Sequence, residues 1–293
     1  MRVLVTGVSG FIGSYLAEFL AAADFDVVGS HRRETPLLLK LARQKGIRLI
    51  QADLTDMARL SGPFDAVVHA AGTSPGAGMP VRQMVHDNVL SMLALTKSAR
   101  EWNSRAFIFL SSISLHGQIT NAIVDEDCPI INPDAYGATK HLSEIVLKEQ
   151  AHLIPGLALR LPGVLGPCAH RNWLSDVAAK LLGGHAIPAF NLDAPFNNAA
   201  HVADISNLVT TILLRGWQGF DAIVLGAKDM ISVGDAIKRL ANGLGVPANI
   251  VPVSSAKSPF ILSSERAITR WGYDPMEIGK MIDCYAAEVL AAQ

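Results

Sequence analysis

The segment that most restricts this chain is its first, RVLVTGVSGFIGSYLAEFLAAA, an apolar run, a glycine-punctuated turn and an amphipathic helix in direct succession. TGVSGFIG places Gly7, Gly10 and Gly13 three residues apart. Glycine there permits a sharp turn, close approach of backbone N–H groups to a pyrophosphate, and tight packing of helix on strand. The spacing alone is a weak sign, but a strand before it and a helix after it supply the context of a dinucleotide-binding turn. The residues expected at the cofactor are Gly7, Gly10, Phe11, Ile12 and Gly13.

The same strand–helix alternation continues. Apolar runs predict strands at 2–6, 26–31, 47–51, 64–69, 105–111 and 156–160, with helices at 11–23, 36–45, 80–101 and 134–152 between them. Thr35-Pro36 reads as an N-cap followed by proline at the first helical position. Such alternation means βαβ units and a doubly wound parallel sheet of Rossmann type. After Pro162 the rhythm breaks into turn-rich stretches, and helices are expected at 203–214, 233–243, 263–271 and 276–291. The fold class expected is therefore α/β, with a dinucleotide-binding domain over 1–165 and a smaller C-terminal substrate lobe over 166–293, interleaved at a soft boundary.

Bulk composition excludes several classes. Half of the 293 residues are hydrophobic and 17% are charged, which suits a sheet covered on both faces. A net charge of −1 leaves no basic footprint, so no nucleic-acid partner is expected. No apolar run approaches the ~18 residues of a membrane span. A first strand at residue 2 leaves no room for a secretory signal, and Cys128, Cys168 and Cys284 have no metal spacing. A cytoplasmic protein without a metal is expected.

The tip of the second strand, VVGSHRRE, departs from the common pattern. About 20 residues after the glycine turn an Asp or Glu usually meets the adenosine ribose hydroxyls. Here stand His31, Arg32 and Arg33, whose guanidinium groups suit phosphate oxygens. NADP(H) is therefore the expected cofactor, with NAD(H) the alternative and a solvated basic turn the plainer reading. Asp53-Leu54 could approach the adenine, Asp53 serving equally well as an N-cap. Ala70, Ala71 and Gly72 end a strand in small residues that let backbone lie against a cofactor.

YGATK sets Tyr136 and Lys140 four apart, on one helix face. A free phenol, with a pKa of about 10, is poorly matched to proton transfer at neutral pH, and a neighbouring ammonium lowers it. Upstream, FIFLSSIS brings Ser111, Ser112 and Ser114 to the carboxyl edge of the sheet.

Taken together, TGVSGFIG, DLTD, VVHAAG, DNVLS, FIFLSSISLHG, AYGATK and ALRLPGVLGP resemble an extended short-chain dehydrogenase/reductase, of the NAD(P)-dependent epimerase/dehydratase branch acting on nucleotide sugars. The matches run from residue 2 to about 167, with weaker ones at 199–205 and 270–275. The resemblance implies that Ser112 donates to the substrate oxygen and Tyr136 is the acid/base. It implies that Lys140 tunes Tyr136 and holds the nicotinamide ribose, and that Pro162 lies at the cofactor. It also implies a homodimer.

Departures narrow the reading. Relatives that dehydrate sugars carry two carboxylates where Ile113 and Ser114 stand, so dehydration is not expected and Ser114 becomes a candidate substrate contact. Gly163 replaces an asparagine that often touches substrate, and Asn197 replaces an arginine that often clamps a diphosphate. Arg171 is the candidate replacement cation, with an exposed loop cation as the plainer reading. His201 and Asp204 read as orienting or helix-capping groups. The favoured activity is NADP-dependent reduction of a nucleotide-linked 4-keto sugar. The alternatives are an NAD-dependent nucleotide-sugar 4-epimerase, a reductase of a non-nucleotide ketone or aldehyde, and a non-catalytic NADP-binding protein.

Overall fold

The structure, a computed structural model, describes residues 1–56, 60, 62–74, 78–255 and 257–292. Its central element is a seven-stranded sheet. The strands are β1 (Arg2–Thr6), β2 (Asp26–His31), β3 (Ile47–Gln51), β4 (Ala66–His69), β5 (Phe107–Ser112), β6 (Gly156–Leu161) and β7 (Phe220–Val224). They lie in the order β7-β6-β5-β4-β1-β2-β3. The pairs β1–β2, β1–β4, β2–β3 and β4–β5 are parallel, with Val3 opposite Val27 on one side and Ala66 on the other. The order reverses between β1 and β4, which places a crevice beyond their carboxyl ends.

The strands form where the sequence is continuously apolar: every residue of β4, β5 and β6 is buried. Helices α1 (Phe11–Ala22), α2 (Pro36–Leu41), α3 (Val81–Met84), α4 (Ser91–Glu101) and α5 (Ala135–Glu149) supply the connections. Leu4, Val28, Val67, Phe107, Leu95 and Leu147 share one core, each with no exposed surface. Pro36 does begin α2, but the Thr35 hydroxyl makes no capping bond and donates to Ser9 O at 3.3 Å.

The single helix expected over 80–101 is interrupted. Val85–Leu90 forms a π-helical turn between α3 and α4. Ser91 Oγ donates back to the Asp87 carbonyl at 2.6 Å, competing with the α-helical ladder. The extra residue in the turn accompanies the inward placement of Asp87 and Asn88, both buried.

The chain divides into two compact units, and a single cut at 165 does not describe them. The first comprises 1–118, 129–160 and 206–223; the second comprises 119–128, 161–205 and 224–293. Non-local pairing explains the interleaving: β7 adds to the sheet beside β6, while Ile123–Val124 pairs with Ile261–Leu262. In the second unit, α6 (Trp173–Leu182), α8 (Val233–Leu244) and α10 (Ile278–Ala291) pack through Leu174, Leu181, Ile237, Leu240, Met281 and Ile282. Helix α9 (Glu265–Trp271) belongs to this unit too, whereas most of α7 (Val202–Arg215) belongs to the first. Helix α6 lies between two turn-rich stretches, where no helix was expected, and its start is a capping box in which Asn172 and Ser175 bond reciprocally. No helix among the described residues is long and apolar enough to cross a membrane.

Phe107 has no exposed surface, so Phe107→Ala should cost about 3–5 kcal/mol of stability. Urea unfolding is the measurement, and the loss should appear as a lower midpoint at an unchanged slope.

Candidate active site

Gly7 closes the site at its base. Its φ is +73°, and a Cβ there would lie 2.7 Å from the backbone of Ala71, while a Cβ on Gly13 would overlap the Gly7 carbonyl. No other residue fits both the left-handed turn and this approach. Thr6 Oγ1 accepts from Ala71 N at 3.1 Å and bonds His69 Nδ1 at 2.8 Å, fastening the end of β1 to the end of β4. Burial pushes the His69 pKa down to about 3, so the ring stays neutral. Gly10 precedes α1 in an extended conformation, with no side-chain cap and no acid in the first turn. Such a helix start presents N–H groups to an external anion.

One cleft gathers most of the expected cofactor residues. Gly7, Gly10, His31, Arg32, Arg33, Asp53, Leu54, Ala70, Ala71 and Gly72 all line it, together with His86 and Asp87. Phe11, Ile12 and Gly13 form the first turn of α1 beside it. Asp53 accepts from Thr55 N and Oγ1, bonds that hold its carboxyl below the usual range, so it both caps its own turn and faces the cleft. His31 is buried, and its Nδ1 finds no partner among the described residues. A backbone cradle, an uncapped helix start and an orphaned imidazole nitrogen fit the adenosine and pyrophosphate of a dinucleotide.

The Arg32 fork, expected to meet a phosphate, meets a carboxylate. Its Nη1 and Nη2 donate to Asp87 Oδ1 and Oδ2 at 2.6 and 2.9 Å, and this bonding raises the guanidinium pKa. Burial alone would raise the Asp87 pKa, but hydrogen bonds from Arg32, Thr73 and His86 outweigh it and hold the carboxyl well below the usual range. Arg33 is exposed and makes no ion pair among the described residues. Asn88 faces the other way: Oδ1 accepts from Thr73 N at 2.7 Å, and Nδ2 donates to Thr139 Oγ1 at 2.9 Å.

Ser112, Tyr136 and Lys140 converge at the ends of β5 and α5. A Cβ on Gly137 would overlap the Ser114 carbonyl, so glycine lets α5 close on the turn Ile113–His116 and bring Tyr136 within hydrogen-bonding reach of Ser112. Burial raises the Tyr136 pKa, and the Ser112 hydrogen bond works against it. The net shift is upward, opposite to the effect expected from Lys140. That ammonium is itself buried, donates to Leu110 O at 2.7 Å, and lies 5.8 Å from the centre of the Tyr136 ring. Burial lowers its pKa to about 8 against the opposing pull of the Glu144 carboxylate. Glu144, one turn beyond Lys140, accepts from Ser111 Oγ at 2.5 Å and Arg160 Nη2 at 2.9 Å. Reading the sequence missed this buried network, although the i, i+4 spacing from Lys140 was available to signal it.

The remaining candidates fall elsewhere. Ser114 is exposed, and its N donates to Ser112 Oγ at 3.2 Å. Pro162 and Arg171 belong to the second unit, where Arg171 is exposed with a φ of +57° just before α6. Asn197 is spent internally: Oδ1 accepts from Leu262 N and Nδ2 donates to Leu262 O, each at 2.8 Å. His201 Nδ1 accepts from Ala203 N at the start of α7, and Asp204 accepts from Met276 N.

The Lys140 shift carries a stability prediction for the cofactor-free protein. The folded pKa of about 8 lies below the ordinary value of 10.5, so the buried charge opposes folding fully below pH 8. That opposition fades as pH rises from 8 to 10.5, where the unfolded chain binds more protons. Lys140→Met should therefore stabilise the fold at pH 7 by roughly 1–3 kcal/mol. The gain should vanish above pH 10.5, as measured by denaturation across a pH series.

Comparison with known proteins agrees with this geometry. The NAD dependent epimerase/dehydratase family matches over residues 3–226. A UDP-glucose 4-epimerase of Corynebacterium glutamicum is 28% identical over 303 residues, covering 94% of this chain and 91% of that protein. A dTDP-4-dehydro-6-deoxy-D-allose reductase of Streptomyces is 23% identical over 271 residues, covering 85% of this chain and 82% of that one. The solved structure of UDP-glucuronic acid 4-epimerase from Bacillus cereus in complex with NAD shares the fold, with a TM-score of 0.85 at 24% identity over 100% of this chain and 99% of that one. With its glycine turn, its Ser112–Tyr136–Lys140 edge and a family match over most of its length, the chain belongs to the NAD dependent epimerase/dehydratase family.

Proposed function

We propose that the protein inverts a hydroxyl-bearing ring carbon of a nucleotide sugar through a transient ketone, as a 4-epimerase that keeps NAD bound. The observation that carries the reaction class is the convergence of Ser112, Tyr136 and Lys140 on one sheet edge. Ile113 and Ser114 beside this set provide neither of the two carboxylates that elimination would use. Bound NAD supplies the hydride acceptor and donor. The cleft residues Gly7, Gly10, His31, Asp53 and Leu54 would hold its adenosine and pyrophosphate, and Lys140 its nicotinamide ribose.

The chain's own groups account for the proton. Tyr136 Oη takes the hydroxyl proton as the ketone forms and returns it as the alcohol is restored. Ser112 Oγ donates to the same substrate oxygen, where negative charge develops. Lys140 keeps positive charge beside the phenol and favours its ionised form. Two observations support epimerase over reductase: the fork of Arg32 is taken by Asp87, and a relative matched over 91% of its length at 28% identity is a UDP-glucose 4-epimerase.

The second reading is an NADP-linked keto-sugar reductase. Arg33 favours it, an exposed cation lining the cleft without an ion pair among the described residues. A cytoplasmic homodimer remains part of the proposal on family grounds.

The test joins cofactor and turnover. Protein purified and then denatured should release NAD in near-equimolar amount, and the native protein should equilibrate UDP-glucose with UDP-galactose. Tyr136→Phe should still carry NAD while turnover falls by about 10²–10⁴. Nucleotide-free protein that oxidises NADPH in the presence of a 4-keto sugar nucleotide would put the reductase first.

A further inference from the structure

The tip of β2 offers two guanidinium groups to the cleft, and one is committed. Arg32 presents its paired Nη–H edge to the two oxygens of Asp87 at 2.6 and 2.9 Å. That is the edge with which an arginine forks onto a phosphate. The two partners differ in freedom: the Asp87 side chain is 5% exposed and that of Arg32 is 43% exposed. Asp87 is also fixed by its neighbours, accepting from Thr73 Oγ1 and from Gln83 Nε2 at 2.8 Å, with His86 Nδ1 3.2 Å away. Its place on the π-helical turn brings it into the wall of the same cleft as His31 and Arg33. Asp53, a second carboxylate, lines that cleft too.

We propose that Asp87 sets the choice of dinucleotide: by occupying the Arg32 fork it denies a ribose 2′-phosphate the cation that β2 would otherwise offer, and so holds the site to the unphosphorylated ribose. The inference rests on the reading of the cleft as a dinucleotide site. Its signature is an arginine placed for a phosphate yet silent toward it. A phosphate entering the cleft must displace a carboxylate that cannot leave, and must sit near the added negative charge of Asp53. Arg33 is the remaining guanidinium of the wall, and it is present in every variant considered below.

Equilibrium titration of adenosine 5′-monophosphate and adenosine 2′,5′-bisphosphate into protein freed of nucleotide provides the test, independent of turnover. Four forms are compared: the wild type, Asp87→Asn, Arg32→Ala and the double variant. Asp87→Asn should raise the bisphosphate-to-monophosphate affinity ratio by about tenfold. Arg32→Ala alone should leave that ratio within about twofold of wild type, and in the double variant the gain should disappear. A ratio unmoved in folded Asp87→Asn, or one that collapses in Arg32→Ala alone, overturns the inference. Should Asp87→Asn fail to fold, the Arg32→Ala arm decides by itself. A wild type that binds neither nucleotide overturns the dinucleotide reading, and with it this inference. Binding of both with an unmoved ratio overturns this inference alone.

Discussion

A parallel sheet ends its strands in one direction, so the turns after β1, β2, β4 and β5 all open onto a single edge. That edge is the constraint on which the first unit depends. It places the glycine turn, the basic tip, the small residues 70–72 and Ser112 on the same side of the sheet. The edge can close only because Gly7 tolerates both a left-handed φ and the backbone of Ala71. A side chain there would force apart β1 and β4, and with them the two halves of the cleft.

Around this edge the protein buries an unusual amount of charge and polarity. Lys140, Glu144, Arg160, Asp87 and His69 are all buried. Each answers the cost of leaving water differently. Glu144 and Arg160 pair, Asp87 gathers donors from three segments, and His69 stays neutral. Lys140 donates to a carbonyl and lies by the rings of Phe109 and Tyr136, and the pull of Glu144 does not offset its burial, so its charge remains under tension. Tension of this kind accords with the role proposed for Lys140, which a desolvated ammonium would serve. The rigid support comes from β5 and α5, whose side chains form part of the main core.

Helix interruption and site formation are linked in the same way. A regular helix through 81–101 would rotate each residue by the standard angle and would not aim both Asp87 and Asn88 inward. The π-helical turn lets Asp87 reach the β2 tip while Asn88 reaches the loop after β4 and Thr139 of α5. The cost is a weakened helical ladder, and Ser91 bonding back to Asp87 O compensates in part.

Much of this was legible along the chain because its signals are local. Continuous apolar runs located the first six strands to within about two residues, the glycine spacing marked the turn, and Y-x-x-x-K at helical spacing marked the proposed proton-transfer pair. What escaped depends on partners distant in sequence. The strand β7 is a five-residue run that becomes a strand by pairing with β6, and α6 is a ten-residue helix enclosed between two turn-rich stretches. The commitment of Arg32 to Asp87 joins residues 55 positions apart, and the upward pKa of Tyr136 follows from burial that no spacing reports. The sequence by itself determined the parallel sheet, the glycine turn and which side chains are candidates for reaction, since short-range periodicity and backbone stereochemistry dictate these. Only the tertiary structure decided which charges are free, which are paired and which are held out of water, because those are set by contacts between segments far apart in the chain.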